Sequence, residues 1–182
     1  MYKRQTDIYP SEPGLLQSLF PFLTKLPRSL LPGRLKFIKD FSDTSKPVGA
    51  AFNNPSLISQ DGMEANTKQW RNAEIPAANG HGTARSIAKL YGILANGGSR
   101  DGIHILKPET IEMSRLPQSE GKDLVLGGMN TKFGLGFMLG NENISMGPNI
   151  KSFGHGGAGG SLGFCDPDNH VSLGFVMNQM HP

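Results

Sequence analysis

The sequence predicts an α/β fold in the broad sense (α+β), an antiparallel sheet flanked by helices. Three observations predict it. Residues 83–98 carry Ile87, Leu90, Tyr91 and Leu94 at three- and four-residue spacing, the pattern of an amphipathic helix. The run Val171 to Met177 alternates in the manner of a strand and follows Asp166-Pro167-Asp168-Asn169, a turn sequence with proline at its second position. Between them, Phe153 to Phe164 places six glycines around one histidine, so that a backbone edge can be approached closely by a ligand or another chain.

Taken in order, residues 10–41 mix leucine and phenylalanine with Pro10, Pro13, Pro21, Pro27 and Pro32. Proline breaks helices and restricts its predecessor, so short turns and extended pieces are expected there. Residues 42–80 read as loops punctuated by Pro47, Asn53-Asn54-Pro55 and Asp61-Gly62, with Trp70 anchoring the layer. The clearest helix starts after Thr83, a suitable N-cap, and stops at Asn96-Gly97-Gly98. A shorter one follows Lys107, with Pro108 in its first turn and Ile105, Leu106, Ile111 and Met113 as apolar contacts. Residues 117–131 are expected to be a surface loop. Phe133 to Gly140, Ser161 to Cys165 and Val171 to Met177 are expected as strands, the last two forming a hairpin beside the first.

Composition narrows the function. The chain has 182 residues, enough for one domain or part of a larger one. A net charge of +3 is too small and scattered to suggest nucleic acid as a partner. Hydrophobic residues make up 37%, which points to a modest core completed by further sequence. The single cysteine, Cys165, permits no intrachain disulfide and reads as a buried, inert thiol. No stretch reaches the ~18 apolar residues that span a bilayer. The start of the chain lacks a signal-peptide core, which favours the cytoplasm. Association of copies into a homo-oligomer stays open.

Two serine motifs read as chance matches. Gly159-Gly160-Ser161-Leu162-Gly163 fits G-x-S-x-G, but that motif needs a strand-to-helix turn, and here strand and turn follow. Ser86-Ile87-Ala88-Lys89 fits S-x-x-K, yet it lies in the amphipathic helix with Lys89 expected in solvent. The histidines at 81, 104, 155, 170 and 181 lack the spacing of a zinc site, so no metal is expected. Asp166 and Asp168 near His170 are explained by turn chemistry. His155, among glycine N–H groups, could hold a carbonyl or carboxylate.

Three segments, Ile75 to Ser86, Leu94 to Gly98 and Phe153 to Ser161, resemble the serine β-lactamase-related proteins, especially class C-like esterases and β-lactamase domain-containing proteins. The resemblance is clear over residues 45–182 and poor over 1–44. It implies the β-lactamase/transpeptidase-like fold, here incomplete, and acyl-enzyme chemistry on a small-molecule ester or amide without metal or cofactor. In the family a K-T-G-like triplet lines the site, and His155-Gly156-Gly157 matches it with histidine in place of lysine. The match implies hydrogen bonding by His155 to substrate or to the proton-transfer network, and an oxyanion donor at the Ala158 N–H. The family's S-x-x-K nucleophile and Y-x-N tyrosine lie upstream of the segment matching Ile75 to Ser86. Tyr91-Gly92-Ile93 is not a substitute. The expectation is therefore the C-terminal portion of a serine hydrolase, as a fragment or truncated isoform, with no nucleophile in the chain and no activity alone. The alternative is a non-catalytic pseudoenzyme that binds or scaffolds.

Overall fold

The computed structural model describes residues 25–31, 36, 39–53, 66–157 and 159–178. These fall into two compact units, one of residues 1–74 and 123–129, the other of residues 75–122 and 130–182. Expectations placed on residues 1–24 and 54–65 lie outside the described residues.

In the first unit, residues expected to be loops form two short helices, α1 (Pro47–Phe52) and α2 (Lys68–Asn72). Proline at the start of α1 suits a first turn, where no N–H partner is needed. Thr67 caps α2 by accepting from the Trp70 N–H at 3.2 Å. Trp70 is buried. These helices escape a periodicity reading because each is under two turns long.

The second unit holds the helix expected after Thr83, α3 (Ala84–Ala95). Its N-terminus is a capping box: Ser86 N–H donates to Thr83 Oγ1 at 3.2 Å, and Thr83 N–H donates to Ser86 Oγ at 2.9 Å. Tyr91 and Leu94 are buried as expected, and Ile87 packs against their cluster. Leu90 is not: it is 49% exposed, because the buried stripe runs through Ile87, Tyr91, Leu94 and Ala95 and Leu90 lies past its edge. Gly98, in the left-handed region at φ +88°, ends the helix against the Leu106 carbonyl.

A small hairpin follows that the sequence reading missed. Its strands β1 (Ser99–Arg100) and β2 (Ile103–His104) are joined by Asp101-Gly102, both at positive φ, a turn suited to two-residue hairpins. Helix α4 (Pro108–Ser114) forms after Lys107. Its Ile111 is buried, whereas Met113 is 58% exposed.

The main sheet has six strands in the order β3-β4-β5-β6-β7-β8. Two corrections concern its first half. Residues 117–131, expected as a loop, supply most of β3 (Ser119–Asp123) and β4 (Met129–Phe133). Mostly polar, exposed strands carry no alternating apolar signal. The single strand expected over Phe133 to Gly140 is instead the end of β4 and the two-residue β5 (Met138–Leu139), paired through Phe133 and Met138 around a turn with Gly136 at φ +81°.

Strand β6 (Phe153–Gly156) lies between β5 and β7 (Leu162–Asp166), so the terminal hairpin of β7 and β8 (Val171–Phe175) is not directly beside the segment from Phe133. The β7–β8 turn works as its composition predicts. Asp166, wholly buried, accepts from the Asp168 N–H at 3.1 Å and from the Asn169 side chain at 2.8 Å. The Asn169 amide, opposed in part by burial and aided by the Asn149 amide, holds its carboxyl below the usual carboxylate range.

Helix α3 lies against β7 and β8 because two glycines leave room. A Cβ on Gly163 would run into Tyr91 and Ile87, and one on Gly174 into the backbone of Ala84 and Ala88. Ser172 Oγ donates to the Ala88 carbonyl at 2.9 Å across the same contact. The core joins Tyr91, Leu94, Ala95, Ile111, Leu139, Phe153 and Cys165.

Candidate active site

The glycine tract forms β6, a loop and β7. Register pairs Phe153 with Cys165, Gly154 with Phe164, His155 with Gly163 and Gly156 with Leu162. The two-residue period puts Phe153 and His155 on one face, together with Gly163 and Cys165, and that face is the one α3 covers. Phe153 is fully buried there, whereas His155, two residues on, is exposed. Gly156 and Gly157 continue the exposed end.

The loop closes when Gly157 N–H donates to the Ser161 carbonyl at 2.8 Å and Gly160 N–H donates to the Gly157 carbonyl at 3.2 Å. Gly159 and Gly160, at φ +81° and +106°, take conformations costly for other residues. Ala158, matched above to an oxyanion donor, lies outside the described residues.

His155 is held from two sides. Its Nδ1 donates to the Gly156 carbonyl at 2.5 Å, an assignment that follows because a carbonyl can only accept. The Phe133 ring lies 5.9 Å from the imidazole, centre to centre, tilted by 36°. Phe133 reaches this place through the β4–β5 turn, and nothing in its local sequence signals the contact.

The other groups have structural tasks. Both hydrogen-bonding functions of Ser86 are committed at the helix start: its Oγ donates to the Thr83 carbonyl at 2.8 Å and accepts from the Thr83 N–H. Lys89 is exposed. Ser161 is half-buried and leads into β7, not into a helix. Tyr91 is in the core, and burial foremost, with Cys165 beside it, pushes its phenol up to about 12. Cys165 is completely buried. Burial raises its thiol to about 12, with Arg115 opposing and Asp166 adding to the shift. A thiol so placed is a poor nucleophile. Arg115, which the sequence reading passed over, sets its guanidinium 5.6 Å from the centre of the Phe153 ring and donates to Glu112 at 2.8 Å.

The remaining described histidines are dispersed. His81 and His170 donate through Nδ1 to the carbonyls of Asn79 and Ala95, at 2.7 and 3.1 Å. His104 Nδ1 lies 2.5 Å from Ser99 Oγ. Among the described residues no group of three or more His, Cys, Asp or Glu could hold a metal ion, and no helix is long and apolar enough to cross a membrane.

Known proteins resemble this arrangement. Over 108 residues the chain is 41% identical to the esterase/beta-lactamase LipL of Mycobacterium tuberculosis, a match covering 59% of this chain and 24% of LipL. It superposes on a penicillin-binding protein homologue from Caulobacter crescentus with a TM-score of 0.62 and 41% identity, covering 73% of this chain and 34% of that one. It superposes on a family VIII carboxylesterase with a TM-score of 0.64 and 38% identity, covering 74% and 35%. The chain thus spans between a quarter and about a third of the length of these relatives. The sheet-and-helix architecture is theirs, and the family model for Beta-lactamase matches residues 38–182, most of the sequence: the chain belongs to the Beta-lactamase family.

Proposed function

We propose that this chain is the C-terminal portion of a serine hydrolase, an esterase or amidase of β-lactamase-related type, and that His155-Gly156-Gly157 lines its substrate site. The observation that carries this reading is the position of His155: it projects from the exposed end of β6, on the helix-covered face. The Ala158 N–H is assigned as an oxyanion donor, a contribution worth about 3–4 kcal/mol in acyl-transfer enzymes. The substrate is a small ester or amide. The nucleophile is assigned to sequence outside this chain, because Ser86 is occupied at a helix cap and Ser161 precedes a strand.

A fluorophosphonate probe tests the assignment. The expected result is no labelling of Ser86 or Ser161 in this chain, and labelling of an upstream S-x-x-K serine in a longer protein that contains it. Modification of either serine here would overturn the reading. The second reading, a non-catalytic binding or scaffold protein, is favoured by the outer face of β8, where Val171, Leu173 and Phe175 are 48%, 40% and 53% exposed. A longer protein that also fails to label would bring this reading forward.

A further inference from the structure

Resting on the hydrolase reading and deepening it, we propose that His155 recognises its ligand as a hydrogen-bond acceptor through Nε2, so that the site takes an uncharged ester bearing a hydroxyl or N–H group and disfavours a carboxylate.

The imidazole offers two hydrogen-bonding atoms, and the fold has already used one. Nδ1 is 2.5 Å from the Gly156 carbonyl, which accepts and cannot donate, so the proton sits on Nδ1. In the neutral ring Nε2 is then a bare lone pair. His155 is an exposed residue, which leaves that atom open to a ligand. Phe133 offers a ring and no charge.

Nor does a fixed cation on the surrounding strands supply what Nε2 lacks. On β4, Lys132 is paired with Glu120 at 3.2 Å, and as the neighbour of Phe133 it falls on the opposite face. On β7 the charged residue is Asp166, engaged by Asn149 and Asn169. Strand β5 carries only Met138 and Leu139. A ligand carboxylate, which can only accept, would meet a lone pair with no compensating charge from these strands, whereas a hydroxyl finds a matched acceptor. On this proposal His155 accepts a hydrogen bond from its ligand, where the sequence alone suggested that it could hold a carbonyl or carboxylate.

The test uses the full chain labelled with 15N. Long-range 1H–15N spectra followed through a pH titration identify the neutral form of His155 and its tautomer. Methyl lactate, which carries a hydroxyl donor, and propionate, which has only a carboxylate, are then titrated against the neutral form. The expected result is a proton on Nδ1, a saturable shift of Nε2 with methyl lactate, and binding of propionate weaker by roughly tenfold or more, the scale of one mismatched hydrogen-bonding group. His155→Gln, whose amide both donates and accepts, should bind the two probes alike. A proton on Nε2 in the neutral form, propionate binding as tight as methyl lactate, or no saturable shift with either probe would overturn the proposal. The tautomer is read whether or not a nucleophile is present. Probe labelling of Ser161 with Nδ1–H intact would therefore sink the placement of the nucleophile outside this chain and leave the tautomer standing.

Discussion

The two halves of strand β6 differ more than any other neighbouring pair of segments around the site. Phe153-Gly154 is sealed: Phe153 is fully buried against Cys165, and a Cβ on Gly154 would collide with the Gly163 carbonyl and the Phe164 backbone. His155-Gly156 is exposed, and a Cβ on Gly156 would meet nothing closer than 4.0 Å. The residue types alternate in the same way in both halves, an aromatic ring followed by glycine. One ring is core and the other is exposed. One glycine is required by packing, and the other leaves space. A strand that starts in the core and ends in the open fixes its exposed end by burying its first, which is how a rigid element can present a single side chain accurately.

This contrast predicts a graded response to substitution. Phe153→Ala should cost the most, about 3–5 kcal/mol, because it empties the centre of the cluster of Tyr91, Leu94 and Cys165 and removes the partner of Arg115. Native-state amide exchange of β6 and β7 is the readout, and unchanged protection would break the assignment of this half to the core. Gly154→Ala should cost about 1–3 kcal/mol by overpacking, since the atoms it meets are backbone and cannot swing away. A smaller, pH-dependent effect comes from Cys165 and Tyr91. Their folded pKa values are raised to about 12, so between about pH 9 and 12 the unfolded chain loses protons that the folded chain keeps. The contribution is complete below about pH 9, and stability should fall as pH rises through that window. In the native state Cys165 should resist thiol reagents at neutral pH, and rapid modification without denaturant would contradict its burial. Gly156→Ala should change stability by no more than about 0.5 kcal/mol. A loss comparable to that of Gly154→Ala would erase the distinction between the halves.

Much of the second unit was legible. Thr83, the stripe through Tyr91 and Leu94, and Asn96-Gly97-Gly98 predicted α3, and the structure adds that Ser86 completes its cap. Asp166 to Asn169 predicted the β7–β8 turn down to the use of the Asp166 carboxylate. The failures have physical reasons too. Strands β3 and β4 bury little, so they carry no apolar alternation, and β5 is only two residues long. Asp101-Gly102 was a hairpin signal in plain sight, hidden because its strands are two residues each. Phe133 beside His155 and Arg115 over Phe153 join residues distant in sequence, and no local pattern encodes such pairs.

The sequence by itself determined the family, the helix after Thr83 and the terminal hairpin, because motifs, periodicity, capping and turn chemistry act over a few residues. Only the tertiary structure decided which glycine is packed and which is open, and which imidazole nitrogen of His155 is bound to the backbone. Those outcomes depend on strand register and on helix docking between residues as far apart as Ala88 and Ser172, where the free energy of contact is set by shape in three dimensions and not by neighbours along the chain.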